Sequence, residues 1–170
     1  MPTACRLCAR AAGHRRSAGF HRCYPASVSN LSRKLAASCR RFGVASLYAF
    51  GSRAAEVAAR VAGEQRPGAG EDADVDIGVQ PVGAALRESG SRVALAQALE
   101  TLFGVSRVDL VIITEASPFL AADAVRGELL YCDDEDRQAR EELYYLRRVA
   151  DLAPFQRARL AGILSGELRR

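Results

Sequence analysis

Acidic residues are missing from the first 41 positions of this chain, which carry nine basic ones. From Phe42 to Arg170 there are 15 basic residues against 20 acidic ones, a net charge of −5. The overall charge of +4 and the pI near 9.0 therefore come from the leader, and they do not argue for direct nucleic-acid binding by the rest of the chain. No window approaches the roughly 18 uninterrupted apolar residues that a membrane span requires, so the reading is a cytoplasmic protein with no membrane partner. Lysine is almost absent, Lys34 standing against 23 arginines. An even set of cysteines is absent too: Cys5, Cys8, Cys23, Cys39 and Cys132 are odd in number and unevenly spaced, which excludes a disulfide framework and fits a reducing compartment.

Sustained hydrophobic periodicity is also lacking in residues 1–30, which read as a disordered basic leader or an over-extended start. A sharper reading is a zinc knuckle built from Cys5, Cys8, His21 and Cys23, although no second tight cysteine pair with loop-forming neighbours is present. Residues 31–170 are expected to form one domain. It opens with Leu31, Leu35, Cys39 and Phe42 at helical spacing.

Strand and helix signals alternate through the rest of the chain. Val44 to Phe50 (VASLYAF) is an apolar run of strand length, the Gly51-Ser52 pair ends it, and RAAEVAARVA is a good helix former. GEQRPGAGED, residues 63–72, reads as loop, after which Val75, Ile77 and Val79 alternate with Asp74, Asp76 and Gly78 as a two-faced strand. A helix is expected over 91–103, stopped by Gly104, then a strand in RVDLVII at 107–113. Pro118 opens a further helix as its first residue, LLYC is a short extended piece, and a long helix starts near Asp133 or Asp134, with a C-terminal helical extension from there on. The fold class is α/β or α+β, a mixed central sheet of about four strands flanked by helices.

The chemistry concentrates between residues 47 and 113. On a strand, residues two apart point the same way, so Asp74 and Asp76 share one face with Cα atoms roughly 7 Å apart. Carboxylates gathered this closely raise one another's pKa unless a cation compensates, and hard oxygen ligands suit Mg2+ or Mn2+. Asp109, among Val108, Leu110, Val111 and Ile112, is the third member, expected as a charge whose burial needs a reason. Asp72 reads as a solvated loop residue. Gly51 permits close backbone approach, and Ser52 adds a hydroxyl at a helix N-terminus, a site for phosphate.

With these parts in order, FGSRA at 50–54, DVDIGV at 74–79, RVDLVII at 107–113 and AVRGELLYCDDEDRQAREEL at 124–143, the chain resembles the nucleotidyltransferases of the DNA polymerase β type, and among them the minimal nucleotidyltransferases, or MNT proteins. The resemblance implies that Gly51, Ser52 and Arg53 bind the nucleotide triphosphate. It also implies that Asp74, Asp76 and Asp109 are catalytic and hold two Mg2+ or Mn2+ ions. The implied reaction transfers a nucleoside monophosphate, AMP from ATP or another NTP, to an acceptor hydroxyl. One departure stands out: the connection from Gly51 to Asp74 is longer than in the family and dotted with Arg53, Arg60 and Arg66. These could supply charge to the triphosphate, and the added loop costs little, about 0.6 kcal/mol per doubling of length.

MNT proteins are similar to antitoxins encoded beside HEPN-domain toxins. This implies a HEPN partner with an acceptor tyrosine, and Tyr144, Tyr145, Leu146 and Phe155 as partner contacts or core. The alternatives are a small-molecule transferase of the aminoglycoside type working as a homodimer, and a nucleotide-binding interaction module without transfer.

Overall fold

In the computed structural model, residues 29–64 and 74–165 are described. The leader up to residue 28, with its zinc-like Cys5, Cys8, His21 and Cys23, and the loop residues Arg66 and Asp72 lie outside the described residues.

Nine elements succeed one another among the described residues: α1 (Asn30–Phe42), β1 (Val44–Phe50), α2 (Ala54–Ala62), β2 (Val75–Pro81), α3 (Ser89–Phe103), β3 (Val108–Ile112), α4 (Pro118–Val125), β4 (Glu128–Cys132) and α5 (Glu135–Leu164). The first helix starts one residue before the expected boundary because Ser29 caps it, its hydroxyl accepting from the Ser32 amide and donating to the Val61 carbonyl at 2.6 Å. One residue thus closes an orphan donor of α1 and ties that helix to the end of α2.

The sheet is mixed, in the order β3-β2-β1-β4. Strand β1 runs antiparallel to both β2 and β4, and β2 runs parallel to β3, a connection made through α3 as parallel pairing requires. The short extended piece LLYC is part of β4, a full member of the sheet.

Alternation along the strands assigns the two faces. Leu47, Ala49, Val75, Ile77, Val79, Val108 and Ile112 join Leu35, Val57, Leu95, Leu99 and Phe103 in the larger apolar cluster under α1, α2 and α3. Tyr48 points the other way, into a smaller cluster with Ile113, Ala121, Ala124, Val125 and Tyr145 from α4 and α5. Gly78 is what lets α4 sit down on β2: a Cβ there would meet that of Ala124 at 2.8 Å.

The C-terminal extension is one helix of 30 residues that continues through Pro154. Tyr145 faces the core and is buried, and Leu146 packs at the same cluster, so these two of the four proposed partner contacts are packing residues. Tyr144 and Phe155 are exposed. Among the described residues, no helix is long and apolar enough to cross a membrane.

Candidate active site

The site forms at one end of the sheet, where β1 finishes and β2 and β3 begin. Phe50, the last residue of β1, is paired with Asp76, and Asp76 in turn is opposite Asp109 across the parallel ladder. Residues opposed in register project from the same face, and Asp74 shares it by the period of two. That face is the one covered farther along by α4, so the three carboxylates lie beyond the helix at the open end.

Gly51 makes the turn with φ of +73°, a conformation that glycine adopts without strain. Its Cα also lies directly against the Asp76 carboxylate, which a Cβ at this position would strike. Ser52 is next, exposed, and α2 begins two residues later. Its Ala54 amide donates to the Gly51 carbonyl at 3.4 Å, and the N-terminus of the helix that follows the turn is an end where an anion is favoured.

Electrostatics mark Asp76 out. Burial pushes its carboxyl above the ordinary range, and the charges of Asp109 and Asp74 push in the same direction. Asp109 differs from expectation, its side chain being 44% exposed rather than buried. Its counter-charge is Arg107, two residues earlier and just ahead of β3. Arg107 donates to Asp109 Oδ1 from Nε at 3.0 Å and from Nη2 at 2.9 Å, and its Nη1 stands 3.4 Å from Asp74 Oδ2. The sequence reading missed Arg107; the signal available was its position in RVD, which puts it beside Asp109 by strand period.

Among the described residues, no three His, Cys, Asp or Glu side chains are gathered tightly enough to hold a metal ion. The donor set nevertheless fits divalent cations by its chemistry. Three carboxylates share one face, Asp76 is raised by burial and by the charges of the other two, and an arginine bridges Asp74 and Asp109, in a place where positive charge is favourable.

Arg53 is turned inward. It is 5% exposed and forks onto Glu56, Nε to Oε2 at 3.0 Å and Nη2 to Oε1 at 2.9 Å. Arg60 meets the same carboxylate at 2.8 Å and also donates to the Phe103 carbonyl at the end of α3. Two of the arginines expected to supply charge to a triphosphate, Arg53 and Arg60, thus both hold the Glu56 carboxylate in this structure. Arg53 is a strut between the Gly51-Ser52 turn and the first turn of α2, and Arg60 ties that helix to the end of α3. Glu56 was not foreseen, since a lone glutamate in an Ala-rich helix carries no sequence signal for burial.

The family described as polymerase beta, nucleotidyltransferase matches residues 33–136. No curated protein sequence matches the chain. Among solved structures, a chain of a toxin–antitoxin crystallised with AMP-PNP is 21% identical with a TM-score of 0.58, covering 78% of this chain and 98% of that one. A chain from the complex of the tri-AMPylated Shewanella oneidensis HEPN toxin with its MNT antitoxin is 20% identical with a TM-score of 0.56, covering 79% and 96%. The toxin–antitoxin MntA–HepT gives 20% identity and a TM-score of 0.56, with 79% and 97% covered. At these identities the likeness is one of fold.

Proposed function

The chain belongs to the polymerase beta nucleotidyltransferase family, and from that premise we propose that it transfers AMP from ATP to a tyrosine hydroxyl of a HEPN-domain partner, in a metal-dependent reaction in the cytoplasm. The observation that carries this reading is the meeting of Gly51, Asp76 and Asp109 at one sheet end, a phosphate-binding turn set against paired carboxylates. The choice of acceptor and nucleotide leans on the similar folds, one crystallised with AMP-PNP and one in complex with an AMPylated HEPN toxin.

In this mechanism the triphosphate binds over Gly51, its oxygens accepting from the Ser52 hydroxyl and the first amides of α2. The absence of a Cβ at residue 51 makes room for the Asp76 carboxylate against the turn, so that carboxylate and the phosphate-binding turn stand side by side. Asp74, Asp76 and Asp109 would hold the divalent ions, which when bound supply neutralisation of the triphosphate charge. Arg53, the residue between the Gly51-Ser52 turn and α2, steadies that turn through its paired hydrogen bonds to Glu56. The acceptor oxygen forms its bond to the α-phosphorus as the bond to the bridging oxygen breaks, and pyrophosphate leaves with that electron pair. Asp109 receives the hydroxyl proton in this reading.

The test incubates the full chain with α-labelled ATP, Mg2+ and a HEPN-domain protein encoded beside it, then maps the label by mass spectrometry. Labelled tyrosine is the expected result. Label on an aminoglycoside in a parallel incubation where one replaces the HEPN protein, with none on the HEPN protein, would overturn the acceptor, and transfer that survives in the Asp74→Ala/Asp76→Ala double variant would overturn the site.

A further inference from the structure

Helix α5 outruns the domain that it packs on. Its buried residues are Gln138 and Tyr145, and among the described residues nothing beyond Leu146 belongs to either apolar cluster. The stripe that faces the domain nevertheless continues. Leu146, Val149, Ala153, Gln156, Leu160 and Ile163 recur at intervals of three and four, the spacing by which one helix packs along another. Past Leu152 the stripe runs on for roughly 20 Å at 1.5 Å per residue, with Leu160 and Ile163 each 50% exposed and Leu164 86% exposed. An apolar helical stripe left in water on a single chain marks an interaction surface.

The charges beside the stripe say what covers it. Arg157 lies on one flank and Arg159 on the other, and no acidic residue occurs between Leu152 and Ser165. The same segment of a second copy, residues 152–164 laid on residues 152–164 in either direction, would bring arginines against arginines, an arrangement that pairing helices avoid.

We propose that residues 152–164 of α5 form a docking rail for a helix of another protein, one whose apolar seam meets Leu160 and Ile163 and whose flanks carry carboxylates opposite Arg157 and Arg159. Because the stripe continues the face that packs on the domain, the docked helix lies in the angle between α5 and the body of the fold. The protein acceptor of the proposed reaction is the natural owner of such a helix, and in that identification alone the inference rests on the reading above.

Two labelled peptides test it by fluorescence anisotropy with the full chain. Both are four-turn designed helices with the same leucine seam, one flanked by glutamates and the other by lysines, and sedimentation velocity tracks the chain alone. The glutamate peptide should bind on the order of tenfold more tightly than the lysine peptide. Arg157→Glu/Arg159→Glu should reverse the preference. Leu160→Glu/Ile163→Glu should abolish binding while circular dichroism and ATP binding stay as in the parent chain. Equal binding of the two peptides, binding of neither, or a concentration-dependent dimer lost in Leu160→Glu/Ile163→Glu would overturn the proposal, the last by giving the rail to a second copy. None of these outcomes depends on transfer activity, so the rail and the transferase reading fail separately.

Discussion

The Asp76 carboxylate rests against the Cα of Gly51, in the space that any other residue at position 51 would fill with its Cβ. The turn and the acidic strand are thus parts of one contact, although 24 residues of chain separate them. Gly51→Ala adds both the collision and the strain of a Cβ at φ of +73°. We expect it to cost about 1–3 kcal/mol of stability and to weaken ATP binding at least tenfold, measured by denaturant unfolding and calorimetric titration. Unchanged ATP affinity in a folded Gly51→Ala protein would remove the turn from the site.

Arg107 bridges Asp74 and Asp109, so a divalent ion arriving at these carboxylates competes with it. Arg107→Ala should therefore bind Mn2+ several-fold more tightly in the absence of nucleotide, measured by electron paramagnetic resonance of the free ion. Weaker Mn2+ binding would show instead that the arginine helps to assemble the carboxylates.

Glu56 is buried with two arginines on it. Breaking a buried ionic network by removing one partner costs about 3–5 kcal/mol, and Arg60 is 39% exposed, which screens its share. Glu56→Gln is expected to lose about 2–4 kcal/mol in urea unfolding and to raise the KM for ATP, through the turn that Arg53 holds, more than it lowers kcat. A stability within about 0.5 kcal/mol of the parent, the range of ordinary surface substitutions, would contradict the strut.

Burial pushes the Cys39 thiol up to about 12 and the Tyr48 phenol up to about 12. Both groups stay protonated in the folded chain after their unfolded counterparts ionise, near 9.0 and 10.0. Their contribution is full below those values and is lost as pH rises toward 12. The melting temperature should fall over this alkaline interval. Tyr48→Phe should flatten the fall while losing about 1 kcal/mol at neutral pH with the Gln138 hydrogen bond of 3.0 Å. An alkaline limb as steep in Tyr48→Phe as in the parent would assign the loss to other groups.

Most of the architecture was legible because the signals were local. Helix ends in particular are marked by a cap, a glycine or a proline that the sequence displays, as Gly104 ends α3 and Pro118 opens α4. Asp74, Asp76 and Gly51 could be named from strand period and turn chemistry. Relationships between distant residues were not legible. The inward turn of Arg53 depends on Glu56 being buried, and that burial is decided by how α2 lies against α1 and the sheet, which no local pattern encodes. The exposure of Asp109 escaped for a similar reason: its apolar neighbours in sequence suggested a dry strand, whereas β3 is an edge strand and its first residues lie at the open end of the sheet.

The register of β2 against β3 has a kinetic meaning. Asp76 opposes Asp109 only when two strands joined through an intervening helix have paired in one alignment, and a slip by a single residue would send one carboxylate to the opposite face. Such long-range parallel pairing is slow to form. A newly made chain can therefore carry all its helices and still be chemically silent. Catalytic competence would then report completed folding, and in a refolding experiment it should lag behind the return of helical signal.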